Sequence, residues 1–429
     1  MVTLRVASGD DFHGLIPRFR PELELYEETF RKLHRDPELS AQEKNTGRTI
    51  AAHLKTLGVT ECHEEVGGFG VVGVVRNGDG PVVMLRAETD GLPIREDTQL
   101  DYASTKTSKG ENGHPVPVMH ACGHDMHITC LLAATELLIA AKAHWRGTLI
   151  SIFQPNEEEG NGARAMIDGG LYGLVPKPDV LLGQHIIAAR AGTVQIRSGV
   201  VLTANDVFDV KVIGKGGHGS APNQANDPVL PACSIVTKLP SLIPRIAGPD
   251  GFAIVNSSFV RAGEAANVIP GHAELKVSIR TYRPEIRGGI VKAVQQLIRT
   301  ECEGYGMPHS PEITRIKDVP PVVNDEIVVE KLKKEFETYF GEKLSERSPD
   351  TASDDFPLLA GPYEVPYAYW NIGGIDHHTW DEALKMGTTS EIPRPHNARY
   401  VVAIQPTLKT GVDTLSIAAL TYLFRADID

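Results

Sequence analysis

The chain has 429 residues, 41% of them apolar, and a formal net charge of −12 spread along its length, which is too long for one ordinary core and apolar enough for two. No Lys/Arg cluster of the kind that tracks a phosphate backbone or an anionic membrane is present, so nucleic acid and membrane surfaces are not expected partners. No apolar run approaches the roughly 18 residues of a membrane span, and MVTLRVASGDDFHG is too acidic and too little apolar for a secretory signal.

The five cysteines, Cys62, Cys122, Cys130, Cys233 and Cys302, are an odd number scattered over a long chain. That spacing argues for reduced thiols and a cytoplasmic setting, with at least one cysteine open to a ligand role.

From about 64 to 186, apolar β-rich runs alternate with helical patterns: GVVGVV (70–75), PVVMLRA (81–87), a helix from about His124 to Trp145, TLISIF (148–153) and DVLLGQHI (179–186). Runs this continuously apolar suit strands buried on both faces of a largely parallel sheet. From 197 to 312 the pattern changes. The strand VFDVKVIG (207–214) leads to a helix near 226–247, strands near 252–260 and 272–282, a helix near 284–304 and a strand near 310–317. In AELKVSIR (273–280) apolar and polar residues alternate, so one sheet face is buried there. The order predicts a β-α-β-β-α-β, ferredoxin-like α+β layer at 197–312, inserted into an α/β domain formed by 1–196 and 313–429. After 313 a helix at 325–340, a β-run at 366–374 and a last helix at 407–425 return to that domain.

Chemistry-bearing residues concentrate in HACGHDMH (120–127), between a loop and an apolar helix. A thiolate and imidazoles two residues apart, at a helix start whose dipole favours the thiolate, make a metal half-site around Cys122 and His124. The second cluster, FQPNEEEG (153–160), follows a buried strand. Adjacent acids on an extended loop point different ways, so one of Glu157 and Glu158 can ligate while its neighbour faces substrate. A solvated acidic turn would look the same, but open α/β sheets place their sites at this end of the strands. His185 falls at the same sheet end and taken alone is equally a core histidine. His396, in the Pro-rich PRPHN, means little alone. His218, in GGHGSAP, sits among residues that allow close backbone approach, or in a plain β-turn.

Assembled in order, these segments resemble the M20 metallopeptidase and amidohydrolase superfamily, in the branch of hippurate hydrolase and the indole-acetyl-amino-acid hydrolases. The likeness runs from LHRDPELSAQE (33–43) to the final helix through RAETDGLP, MHACGHDMH, FQPNEEEG, GQHI, GGHGSAP, NVIPG, SDDF and PHNARY. It implies a zinc-exopeptidase-like α/β/α catalytic domain with the inserted layer as a lid, and two divalent ions per subunit, Mn²⁺ or Zn²⁺. It further implies that Cys122 bridges the ions, with His124 and His185 completing one coordination sphere and Glu158 and His396 the other. Asp90 then orients a ligand, Glu157 is general base and acid, His218 stabilises the oxyanion, and Asn267 and Arg280 hold substrate. A homo-oligomer built through the lid follows from the same likeness.

Three positions depart from the pattern: Glu88 for Asp, Gly91 for Ala and Asn156 for Ala. They leave the ligand positions intact and bear on substrate. The leading expectation is hydrolysis of an N-acyl amino acid or related aryl amide. Deamination of an electron-poor aromatic amine, as in a nitroanthranilate aminohydrolase, keeps the same metals, and an inactive binding protein on this fold is the reading from another class.

Overall fold

The computed structural model describes residues 12–110, 112–249 and 251–425, so the first eleven residues of the stretch weighed above as a signal lie outside it. The chain divides into two compact units, one of Met1–Gly199, Val323–Ser348 and Asp355–Asp429, the other of Val200–Val322 and Pro349–Asp354.

The first unit is built on an eight-stranded sheet, in the order Glu61–Val66, Gly70–Asn77, Gly147–Gln154, Val82–Glu88, Val180–Arg190, Tyr367–Ile375, Val194–Ile196, Leu344–Glu346. Its centre is parallel, but Gly70–Asn77 runs antiparallel to both neighbours, and Tyr367–Ile375 antiparallel to Val194–Ile196. The sheet is therefore mixed and not largely parallel. The apolar run of Gly70–Asn77 reports cover on both faces, which an antiparallel strand in a covered sheet has as well.

Two neighbouring residues show the layers. A Cβ on Gly183 would stand 2.7 Å from the Phe356 ring, whereas the Gln184 side chain donates to the Gly411 carbonyl at 3.2 Å. Successive strand residues point to opposite faces. One face of the sheet thus carries the helix Phe356–Ala360, and the other carries Ile404–Leu423 packed on His124–Ala140. His124–Ala140 is buried nearly all round, as its apolar sequence requires of a central helix.

The second unit has a four-stranded antiparallel sheet, ordered Ala253–Ala262, His272–Thr281, Ala204–Ile213, Glu312–Val319. With its helices this is the strand order of a β-α-β-β-α-β layer. Ala273, Leu275, Val277 and Ile279 point into a core shared with Ile290, Val294 and Ile298 of the helix Pro284–Gly304. The single helix expected near 226–247 is three short pieces, Val229–Lys238, Leu239–Leu242 and Ile243–Ala247, because Pro240 and Pro244 each lack a backbone donor. Together they form one stretch long and apolar enough to cross a membrane by length and composition, contrary to the reading of the sequence. Ala232, Ile235, Leu239 and Ala247 are instead packed into this unit's core.

Leu131 is fully buried in the central helix. Leu131→Ala should cost about 2–5 kcal/mol of stability, the range for truncating a packed leucine. Denaturant unfolding checks this, and a loss well under 1 kcal/mol would mean the helix is not the packed centre of its unit.

Candidate metal centre

The first unit brings Cys122, His124, Glu157, Glu158, His185 and His396 to one place through four local devices. The strand Val82–Glu88 runs out into Thr89 and Asp90. Gly123, at φ +80°, turns the chain into the helix that begins at His124. Glu157 and Glu158 lie in a turn closed by hydrogen bonds from the Gly160 amide to the Glu157 carbonyl (2.6 Å) and from the Gly162 amide to the Asn156 carbonyl (2.9 Å). Asn156 and Gly160 are left-handed there, at φ +57° and +70°. A Cβ on Gly162 would fall 1.7 Å from the Pro155 carbonyl oxygen, so the turn closes this tightly only with glycine. His185 lies inside the strand Val180–Arg190 and not at its end, opposite Asn371. The ladder to Val82–Glu88 stops at Gly183, so His185 stands beyond that neighbour's last pair. The His396 amide donates to the Ala121 carbonyl at 2.8 Å, tying the PRPHN loop to the Cys122 segment.

The ring nitrogens divide their tasks. His124 Nδ1 is 3.0 Å from the Asp90 carbonyl and 3.2 Å from its carboxylate. Its Nε2 is buried with no hydrogen-bond partner, 4.0 Å from both Glu157 and Glu158. His185 Nδ1 is 2.6 Å from the Ile186 carbonyl, and its Nε2 is 3.4 Å from Cys122 Sγ. His396 Nε2 is 3.2 Å from Glu158. In both buried histidines a carbonyl takes the Nδ1 proton and leaves the Nε2 lone pair for a ligand role. Donors about 2.0–2.3 Å from a shared ion stand roughly 3–4 Å from each other, and these groups have that spacing. Donor atoms of Cys122, Glu158 and His396 lie within 4.8 Å of one another, as do those of Glu88, His124, His127 and His185. The residues fit a divalent metal, and mixed S, N and O donors suit a borderline one.

Asp90 is the brace. Besides His124 it accepts from Ser40 Oγ at 2.7 Å and from the Glu158 amide at 3.0 Å. Burial opposes its charge, but His124, the Glu158 amide and Ser40 outweigh burial and hold its pKa below the ordinary value. Burial likewise pulls His124 down, yet the hydrogen bond to Asp90 and the charges of Glu88, Asp90 and Glu158 raise it to about 10. Burial, then Glu158, Glu157 and Glu88, push the Cys122 thiol well up. Burial, then His127, drive His185 well down, and burial lowers His120 to about 4. The protein alone thus holds protons on Cys122 and His124, which a cation displaces because only the thiolate and bare Nε2 ligate.

Four residues here received no role from the sequence: Arg86, Glu88, His127 and Asp355. Arg86, Glu88 and Asp90 alternate along one extended segment, and His127 is one turn after His124. Those spacings were the available signals.

His218, Asn267 and Arg280 belong to the second unit. His218 is exposed on a two-residue ladder, with its Nδ1 2.8 Å from Ser220 Oγ. The Gly219 amide donates to the Asn267 carbonyl at 2.8 Å, which makes Asn267 its neighbour. Arg280 donates to the Thr351 carbonyl at 3.0 Å.

The profile of "Peptidase family M20/M25/M40" matches residues 84–393. The chain is 35% identical to hippurate hydrolase of Campylobacter jejuni over 362 residues, 83% of this chain and 90% of that one. It is 33% identical to IAA-amino acid hydrolase ILR1-like 2 of Arabidopsis thaliana over 334 residues, 77% and 73% of the two. A solved structure from methicillin resistant Staphylococcus aureus, named as an aminohydrolase, superposes with a TM-score of 0.80 at 28% identity, covering 95% of this chain and 99% of the other.

Asp90→Asn keeps the shape of the brace and removes its charge. Metal affinity measured by chelator competition should fall about 10–100-fold, the usual effect of losing a group that orients a ligand. Wild-type affinity in this variant would show that His124 does not depend on Asp90.

Proposed function

The chain belongs to peptidase family M20/M25/M40 and is a metal-dependent amidohydrolase, and from that premise we propose that it hydrolyses the amide of an N-acyl amino acid or related aryl amide with two divalent ions, Mn²⁺ or Zn²⁺, per subunit. The observation that carries this reading is the bare, buried Nε2 of His124 facing two adjacent carboxylates at 4.0 Å, one of which has a second imidazole at 3.2 Å. Two neighbouring acids in such a place divide the labour. Glu158, shared between His124 and His396, ligates, and Glu157 beside it is the proton carrier.

When bound, the ions polarise the amide carbonyl and lower the pKa of water. Glu157 accepts the proton of the attacking water and delivers it to the leaving nitrogen, so one carboxyl is base and then acid. Cys122, His124 and His185 would hold one ion and Cys122, Glu158 and His396 the other. His218 stabilises the oxyanion, while Asn267 and Arg280 hold the substrate. Because His218 lies in a different unit from every ligand, it acts through closure of that unit as a lid or from the lid of another subunit. The edge strand Ala253–Ala262, with Phe259 and Val260 exposed, supports a homo-oligomer formed through this unit. All five cysteines are free, which supports a cytoplasmic setting.

Glu157→Gln should keep its metal and lose turnover by about 10²–10⁴-fold, as for loss of an acid–base group, whereas Glu158→Gln should lose metal. Metal analysis beside rate measurement separates them, and identical behaviour would refute the division of roles. Incubation with hippurate-type amides should release a carboxylate. Ammonia and a phenol appearing from nitroanilines instead would establish aromatic deamination at the same centre.

His218→Ala should lower turnover on the order of 10²–10³-fold with metal content unchanged, the range for losing one oxyanion donor. Mixing it with Glu157→Gln protein should restore some activity if the donor crosses between subunits. No rescue after confirmed subunit exchange would place His218 in its own subunit's site, and a monomer at assay concentration would remove the interface.

A further inference from the structure

We propose that Glu88 is an additional ligand of the metal centre, presented to the ion that His124 and His185 hold. This rests on the two-ion reading above. Glu88 ends the strand Val82–Glu88 and is fully buried. One carboxylate oxygen is 2.8 Å from His127 Nδ1 and the other accepts from Arg86. These bonds hold the carboxylate in place rather than consume it, because each oxygen has a second lone pair.

His127 is one of the four groups whose donor atoms gather within 4.8 Å, but it cannot itself be the ligand. Its Nε2 accepts the Ile186 amide at 2.9 Å, so its proton is on Nδ1 and is given to Glu88. Both nitrogens are used. Of the four, Glu88, His124 Nε2 and His185 Nε2 remain able to ligate.

The bland alternative is that Glu88 only balances Arg86. The geometry does not support it, because Arg86 is shared and the Glu88 carboxylate gathers with His124 and His185. Arg86 also reaches Asp355 at 3.3 Å and Gln154 at 2.9 Å, and Asp355 is a fully buried anion further bonded by Gln154 (2.7 Å) and the Ala163 amide (2.9 Å). Arg86 thus divides its guanidinium between two buried carboxylates. A buried anion in excess is costly unless a cation stands beside it. The donor atoms gathered with Glu88, besides His127, are those of His124 and His185. Glutamate at this position carries its carboxylate one methylene further than aspartate would, from the same backbone point.

The test uses wild type, Glu88→Gln and Glu88→Asp, each stripped and reloaded with Mn²⁺, Zn²⁺ or Co²⁺, with thermal unfolding of the stripped proteins as the check on folding. Glu88→Gln should bind one of its two Mn²⁺ ions at least tenfold more weakly and the other unchanged. The d–d bands of its Co²⁺ form should intensify, as they do when coordination number falls. Two ions held with wild-type affinity would overturn the proposal. So would weaker binding with an unchanged Co²⁺ spectrum, the pattern of a residue that only supports His127. If Glu88→Gln does not fold, Glu88→Asp keeps the charge and shortens the reach; it should show the same selective weakening, and wild-type affinity there would overturn the proposal. Failure of the wild-type protein to bind two ions would instead remove the two-ion reading itself, so the two failures are distinct.

Discussion

Glu88, Asp90 and Asp355 are fully buried at one edge of the sheet, and Glu157 and Glu158 are about nine-tenths buried beside them. Five carboxylates so close repel one another, and a low-dielectric interior strengthens that repulsion while removing the water that would screen it. Arg86 is bonded into this group and is shared between Glu88 and Asp355. Burial and then Glu158, Glu157 and Glu88 push the Cys122 thiol up, while against burial the hydrogen bond to Asp90 and the charges of Glu88, Asp90 and Glu158 raise His124 to about 10. A proton is the weaker answer and a divalent ion the stronger.

Holding such a set together without the ion demands a stiff frame, and the backbone supplies it at few points. Gly123 turns left-handed into a helix that is buried on all sides, so Cys122 and His124 cannot drift. The acidic turn is closed on itself by amide-to-carbonyl bonds across 156–162, with glycine where a Cβ would strike Pro155. Asp90 then couples the two segments, taking the His124 ring on one oxygen and the Glu158 amide on the other. Loss of any one of these would leave like charges free to separate, which is why donors from five chain segments converge with so little slack.

Much of this was legible in the sequence because metal chemistry restricts residue types. HACGHD and NEEEG are dense in ligands; the first opens an apolar helix and the second follows a run apolar enough to be a buried strand. The β-α-β-β-α-β order was legible through the period-two pattern of 273–280. Three features were not. Strand direction escaped because burial on both faces looks alike in parallel and antiparallel strands. The break of the helix near 226–247 escaped because the apolar run continues across Pro240 and Pro244. Arg86, Glu88 and Asp355 passed without a role because a buried ion cluster is made by tertiary convergence, 269 residues apart between Arg86 and Asp355, and no local spacing announces it.

The three departures from the family pattern can now be ranked by cause. Asn156 occupies φ +57°, a left-handed conformation that asparagine tolerates and alanine resists, and its amide donates to the buried Glu43 at 2.7 Å. Gly91 donates its amide to the Glu38 carbonyl at 2.7 Å, and a Cβ there would crowd that same oxygen at 3.2 Å. Both are accommodations of the backbone, although Asn156 also brings a buried Oδ1 with no hydrogen-bond partner next to Glu157. Glu88 differs in kind: it keeps the charge of aspartate and changes its reach, inside a cluster where reach decides whether a carboxylate touches an imidazole, a guanidinium or an ion. A difference in chemistry between this chain and its relatives is therefore to be sought first at Glu88, and only then in the two positions whose substitutions the local backbone already explains.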